Sequence, residues 1–540
     1  MLRISELKLP LDHAEADLPA AIVTRLGIAP AELIRFTVHK RSYDARRKSE
    51  IVLIYALDVE VAQEAAALAR HARDAHIGPS PDLAYHFVAD GAALRGKFPR
   101  PVVVGLGPCG LFAALILAQM GLNPIVLERG KVVRERTVDT FGFWRKRKLN
   151  PESNVQFGEG GAGTFSDGKL HSQIKDPRHL GRKVLTEFVK AGAPEEILYV
   201  SKPHIGTFRL VKMVEQMRET IIALGGEIRF QTKVTDLLVE GEGAARRVRG
   251  VVLDSGEEIA SGHVVVALGH SARDTFEMLY QRGVYIEAKP FSIGFRVEHP
   301  QSLIDVCRFG PNAGNKILGA ADYKIVHHAA NGRSVYSFCM CPGGTVVAAS
   351  SEEGRVVTNG MSQYSRAERN ANSAIVVGIT PADYPGHPLA GIAFQRELES
   401  RAFVLGGSTY DAPGQLMGDF VRGVPSTAFG SVVPSFKPAV HLTDLGTALP
   451  DYAITALREA FVAFDQQIKG YFKEDAVLTG VETRTSSPIR IKRRDDDLQS
   501  LNTRGLFPAG EGAGYAGGIL SAAVDGIKVA EAVALDMAAR

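Results

Sequence analysis

Over residues 1–10 apolar and charged positions alternate, the two-residue period of a strand with one buried face, and residues 3–9 are predicted as such a strand. Further strands are predicted around residues 34–38 and 51–59, with a helix over 19–26 and another over the alanine-rich stretch 61–70. Residues 1 to about 90 therefore read as a small α+β unit. A connection rich in proline and glycine at 77–81 and a second break at 96–101 end it, and the boundary is placed near residue 98.

Residues 102–122 then run without a charge over about twenty positions, the length of a membrane span. Gly105, Gly107, Pro108 and Gly110 interrupt the run where a strand would turn into a helix, and a buried βα unit is equally apolar, so a span is rejected. Strand 102–104, helix 110–120 and strand 124–127 make a βαβ unit. A strand at 227–230, short strands over 234–253, a buried strand at 264–268, and a loop followed by a helix over 505–539 suit the remainder of that layer. Between 276 and 474 lie mixed strands, glycine-rich turns and one amphipathic helix at 454–472. The fold class is thus α/β. A nucleotide-binding domain, 98–275 and 475–540, is interrupted by an α+β substrate or cap domain, 276–474, and preceded by the small domain 1–97.

Composition narrows the class. A chain of 540 residues, 45% hydrophobic and 23% charged, is long enough for several packed units and is globular in character. Its net charge of +3 implies no polyanionic partner through charge alone. Four cysteines are too few for a disulfide framework, and the first ten residues lack the basic flank and apolar core of a secretory signal. A cytoplasmic protein without membrane association is expected.

Gly105-Leu106-Gly107-Pro108-Cys109-Gly110 fits GxGxxG between a strand and a helix. The glycines permit a tight turn, close approach of a pyrophosphate and close helix packing, with the helix N-terminus facing the phosphates. Glu128 ends the next strand 18 residues after Gly110, where a carboxylate can accept the ribose hydroxyls and disfavours a 2′-phosphate; Arg129 beside it joins the cofactor set. Gly160-Gly161-Ala162-Gly163-Thr164 can wrap the pyrophosphate from the other side with backbone amides and the Thr164 hydroxyl.

Two later segments resemble motifs of the glutathione-reductase-like, two-dinucleotide-binding flavoprotein superfamily: residues 264–269, an apolar strand ending at Gly269, and Gly505-Leu506-Phe507-Pro508-Ala509-Gly510-Glu511-Gly512. With residues 157–170, 480–489 and 510–519, nearly the whole chain resembles a family of FAD-dependent dehydrogenases with a C-terminal FAD-binding domain, related to aminoacetone-oxidase-like flavoproteins. The resemblance implies non-covalent FAD. It also implies that Gly510 and Glu511 meet the ribityl chain, where the superfamily usually has Asp, and that Val234 lies on the adenine. Gly518 and Ile519 open a helix whose amides can stabilise charge on the flavin's pyrimidine edge.

Catalytic candidates are weaker. Cys339 and Cys341 could relay electrons, although a CxC pair is awkward for a disulfide, and Gly343-Gly344 could let backbone approach the flavin ring. Arg484 and Arg490 could clamp a substrate anion, while residues 492–494 run into Asp495 to Asp497 and read as a self-paired, solvated loop. His204, His327 and His328 lack metal-ligand spacing, and no metal is expected. A second complete dinucleotide fingerprint is missing, so NAD(P)H is expected at most as a transient reductant. The leading expectation is an FAD-dependent oxidoreductase passing hydride between flavin and a small organic substrate. The alternative is an RNA-associated flavoprotein that recruits tRNA or another nucleic acid through Lys40, Arg41, Arg46, Arg47 and Lys48. Substrate and oligomeric state are not legible.

Overall fold

Four strands, Leu2–Pro10, Leu33–Asp44, Val52–Val61 and Ile77–Pro79, form an antiparallel sheet in the spatial order second, third, first, fourth. Helices Asp17–Leu26 and Glu64–Arg70 cover one face, giving a βαββαβ unit. Leu2, Ile4, Leu57 and Val59 are fully buried under the helices, as the alternation requires. This computed structural model describes residues 1–94 and 96–539. Two details differ from the expectation. Val61 closes a strand rather than opening a helix, and the connection expected at 77–81 contains the fourth strand. Ile77 is buried there and pairs with Ile4, and the edge position tolerates Pro79 because no ladder donor is needed beyond it.

The second layer is a five-stranded parallel sheet in the order Leu506–Pro508, Val264–Val266, Val102–Val104, Ile125–Leu127, Glu227–Arg229. Its central strands are valine triplets buried on both faces, the pattern of a sheet covered by helices. Helix Pro108–Gln119 packs on it together with Ile519–Ala539 and Thr207–Ala223. Among the described residues, no helix is long and apolar enough to cross a membrane. A small antiparallel sheet, Val234–Glu240, Arg247–Leu253 and Glu258–Ala260, lies beside this layer.

The third layer is a large sheet in the order Val326–His328, Ser334–Ala348, Asn370–Ile379, Phe291–Pro300, Val477–Glu482, Ala412–Leu416, Val440–Leu442. Phe420 meets both Phe295 and Phe461 edge to face and binds one side of it to helix Asp451–Gln467. Strand Val477–Glu482 corrects the expected boundary at 475: it pairs with Phe291–Pro300 in this sheet, and the chain regains the parallel layer only at Leu506. A fully apolar strand is compatible with either sheet, so periodicity could not assign it.

Candidate functional site

Four of the glycine-bearing segments singled out in the sequence converge at the C-terminal ends of the parallel strands. Gly105 has φ +98°, and a side chain there would lie 2.7 Å from the carbonyl oxygen of Ala267, which leads into Gly269. A side chain at Gly161 would lie 2.8 Å from Gly107 Cα, so the two loops expected on the pyrophosphate abut. The Gly512 N–H donates to Leu268 O at 2.8 Å, and Gly163 approaches the Ile519 side chain, which joins the remaining segment to the same corner. Gly107 caps helix Pro108–Gln119 with Pro108 in its first turn, where the missing N–H costs nothing.

Glu128 is 5% exposed and accepts three backbone amides: Leu106 N–H at 2.9 Å, Gly130 N–H at 2.8 Å and Gly158 N–H at 3.0 Å. An ionised carboxylate has about four acceptor positions. The one remaining suits a single ribose hydroxyl rather than two. Arg129 points elsewhere: its guanidinium pairs with Glu152 and Asp274 and lies 4.1 Å from the centre of the Phe157 ring. Val234 starts the small sheet, opposite Leu253.

The glycine loop at 158–164 is held by residues that sequence reading missed. Arg136 is completely buried and donates to the carbonyls of Asn154, Val155 and Glu159 at 2.7 Å each. Burial pulls its guanidinium down to about 10. Glu159, also buried, accepts the Val133 N–H at 2.7 Å and pairs with Arg218 at 2.8 Å. Thr164 turns its hydroxyl back to Glu159 O at 3.4 Å. An arginine within the charged helix Val133–Lys146 carries no sign in the sequence that it points inward.

At the other end of the cleft, Gly510 donates its N–H to Asp525 at 2.8 Å, and Asp525 pairs with Arg493 at 2.6 Å. Arg493 therefore departs from the solvated loop expected for 492–494, because it is half-buried against the Tyr515 ring and anchored to Asp525 on the final helix. Arg494 does pair with Asp497 within the loop. Glu511 accepts the Ser487 N–H at 3.1 Å through Oε1, while Oε2 is buried and accepts no hydrogen bond among the described residues. Burial pushes this carboxyl up to about 7 against the pull of Lys289. Lys289, also missed in the sequence, lines a cavity of about 410 Å³ with Gly517 and Gly518 at the start of helix Ile519–Ala539.

The catalytic candidates are placed apart from one another. Arg484 is buried, grips Glu399 through two hydrogen bonds of 2.9 and 2.7 Å, and donates to Ser271 and Ser351. Glu399 also binds Arg273, so the guanidinium belongs to a buried ionic network. Arg490 reaches Gly514 O at 3.2 Å, with its Nε buried and unpartnered among the described residues. Cys339 is accessible with φ +44°, Cys341 is buried, and both are free thiols. Desolvation raises both thiols, which disfavours the thiolate at each. Gly343 and Gly344 serve the protein's own packing: side chains there would meet Arg366 O at 1.7 Å and Met361 O at 2.4 Å.

The basic N-terminal residues lie in and after strand Leu33–Asp44. Arg41 exchanges backbone hydrogen bonds with Tyr199 and Ser201, and Arg46 pairs with Asp44. His204 stacks on Tyr364 and His327 pairs with Glu459 at 2.7 Å. Among the described residues no three His, Cys, Asp or Glu converge as metal ligands.

Residues 290–485 match the family described as FAD-dependent protein, C-terminal domain-like, and residues 1–60 match the Domain of unknown function (DUF8436). An uncharacterized protein of Clostridium beijerinckii (strain ATCC 51743 / NCIMB 8052) is 47% identical over 537 residues, covering 98% of each chain. The chain belongs to this family of FAD-dependent proteins. Its cofactor is FAD, and the residues fit: the buried, unpartnered Oε2 of Glu511 suits a hydroxyl, which can donate to it or accept its proton. Among solved structures, a geranylgeranyl bacteriochlorophyll reductase-like protein from Thermoplasma acidophilum is 11% identical, covering 82% of this chain and 79% of its own, with TM-score 0.36. Glycine oxidase from Bacillus cereus ATCC 14579 is 11% identical, covering 81% and 95%, with TM-score 0.34. Such scores carry no inference about this chain.

Proposed function

We propose that this FAD-dependent protein is an oxidoreductase that exchanges hydride with a small organic substrate. FAD, when bound, supplies the two-electron centre for that exchange. Glu128 receives a ribose hydroxyl, the backbone at Gly105 to Gly110 and Gly160 to Thr164 cradles the pyrophosphate, and Glu511 receives a ribityl hydroxyl. Gly269 and Gly510 leave the cleft open to the cofactor, Val234 borders the adenine, and the amides at Gly518 and Ile519 face its anionic edge.

The observation that supports this most strongly is the unpartnered Oε2 of Glu511 at the junction of the glycine corners. A buried polar atom without a partner costs about 1–3 kcal/mol, so a hydroxyl donor at that point has a physical reason to be bound. The purified protein is expected to carry flavin absorption that is released by denaturation, as a non-covalent cofactor requires. Anaerobic mixing with candidate metabolites, NADH and NADPH is expected to bleach it with at least one of them. A flavin that none of these reduces would count against oxidoreductase function.

A further inference from the structure

We propose that a cavity of about 620 Å³ at the strand ends of the large sheet, around Ser292 and Tyr336, is a chamber for an uncharged, ring-containing ligand bearing an oxygen acceptor. The volume falls within the roughly 300–1,000 Å³ typical of small-molecule sites.

Sheet register assigns the face. In strand Phe291–Pro300, Phe295 points to the helix-covered core, so Ser292, of opposite parity, points the other way. Ser292 lies opposite Gly378, and its Oγ meets the Tyr336 hydroxyl at 2.5 Å, which brings Tyr336 and Phe338 to the same side. Two half-buried aromatic rings thus border the chamber. They offer flat apolar surface to a ring.

Charge decides the ligand class. The chamber's charged side chains are Arg333 and Asp383, and they neutralise each other through two hydrogen bonds of 2.9 and 2.6 Å. Asp383 further accepts the Thr380 N–H at 2.8 Å. A carboxylate or pyrophosphate entering here would lose water and, among the described lining residues, meet a guanidinium already paired with Asp383. That argues against a dinucleotide reductant in this chamber.

Hydrogen counting supplies the acceptor. The Ser292 and Tyr336 hydroxyls hold two protons and use one between them, so the other is available to a ligand oxygen. Ser486 also lines the chamber. Its Oγ accepts Lys289 Nζ at 3.3 Å, leaving its own proton to donate, and Lys289 lines the 410 Å³ cavity beside Gly517 and Gly518. The Ser486–Lys289 hydrogen bond thus stands between the two cavities.

Calorimetric titration of the holoprotein with coumarin, a neutral ring carrying a carbonyl, and with coumarin-3-carboxylate tests the class directly. Coumarin is expected to bind at least tenfold more tightly than its carboxylate. Gly378→Leu has ordinary space at its Cβ, with the nearest atom at 3.9 Å, and is expected to fill the chamber and weaken coumarin at least tenfold without lowering the unfolding midpoint. Tyr336→Phe is expected to weaken it several-fold. Absence of coumarin binding, equal or tighter binding of the carboxylate, or unchanged coumarin binding in Gly378→Leu would each overturn the chamber. The outcomes separate from the oxidoreductase reading, because calorimetry reads the chamber even if the flavin proves irreducible.

Discussion

The Glu128 carboxylate accepts the Gly158 N–H at 3.0 Å, tying the end of the second strand of the parallel layer to the glycine loop thirty residues later. The same carboxylate holds Leu106 N–H in the first glycine turn. One side chain thus fixes both loops expected to bracket the cofactor's phosphates.

Glu128→Ala is therefore expected to do more than lose a ribose contact. It strands three buried amides, each costing about 1–3 kcal/mol when unsatisfied. FAD affinity should fall by at least tenfold and the unfolding midpoint should drop, while Glu128→Gln, which restores one acceptor, should lie between. Flavin content after gel filtration and denaturant unfolding measure the two effects. A variant of unchanged stability would separate Glu128 from the loop architecture.

Glu511 makes stability depend on pH. Its carboxyl is held up to about 7 when folded, against an ordinary value of 4.5, chiefly by burial. Between those pH values the unfolded chain has released a proton that the folded chain retains, so stability falls as pH rises from about 4.5 to about 7. In flavin-free protein, Glu511→Gln should remove this decline, leaving the variant relatively more stable at pH 7 than at pH 5. Thermal unfolding across that range checks it, and parallel curves for the two proteins would refute it.

Arg484 should behave as a structural residue. Its guanidinium is taken up by Glu399, Ser271 and Ser351, and Glu399 already shares Arg273. Removing one partner of a buried ion pair costs about 3–5 kcal/mol. Arg484→Ala is expected to lower stability by about that amount in denaturant unfolding. Retained stability with a selectively raised KM would restore the substrate-clamp expectation.

Cys339 should be slow toward iodoacetamide at neutral pH although it is accessible. Desolvation raises this thiol, so its reactive thiolate is scarce at pH 7. Mass spectrometry is expected to find alkylation of folded protein slower than of urea-unfolded protein. Cys339→Ser with Cys341→Ser should leave flavin content unchanged. Fast labelling of Cys339 would reopen the electron-relay expectation.

The sequence by itself determined the βαβ turn at Gly105 to Gly110, the acid at Glu128, the loop at Gly160 to Thr164 and the late segment around Gly510 and Glu511. These are local: a glycine spacing or an apolar triplet is dictated by backbone sterics and strand period within a few residues. Tertiary structure alone decided that Arg136 and Glu159 clamp the glycine loop, that Arg493 reaches Asp525, that Arg484 is consumed by Glu399, and that Val477–Glu482 joins the large sheet. It also brought Lys289 to Ser486 between two cavities and packed Gly343 and Gly344 against their own chain. The reason is common to all of them. The partner of a charge, or the sheet a strand joins, is chosen by residues remote in the chain, and an arginine bound for the interior is written with the same letter as one bound for solvent.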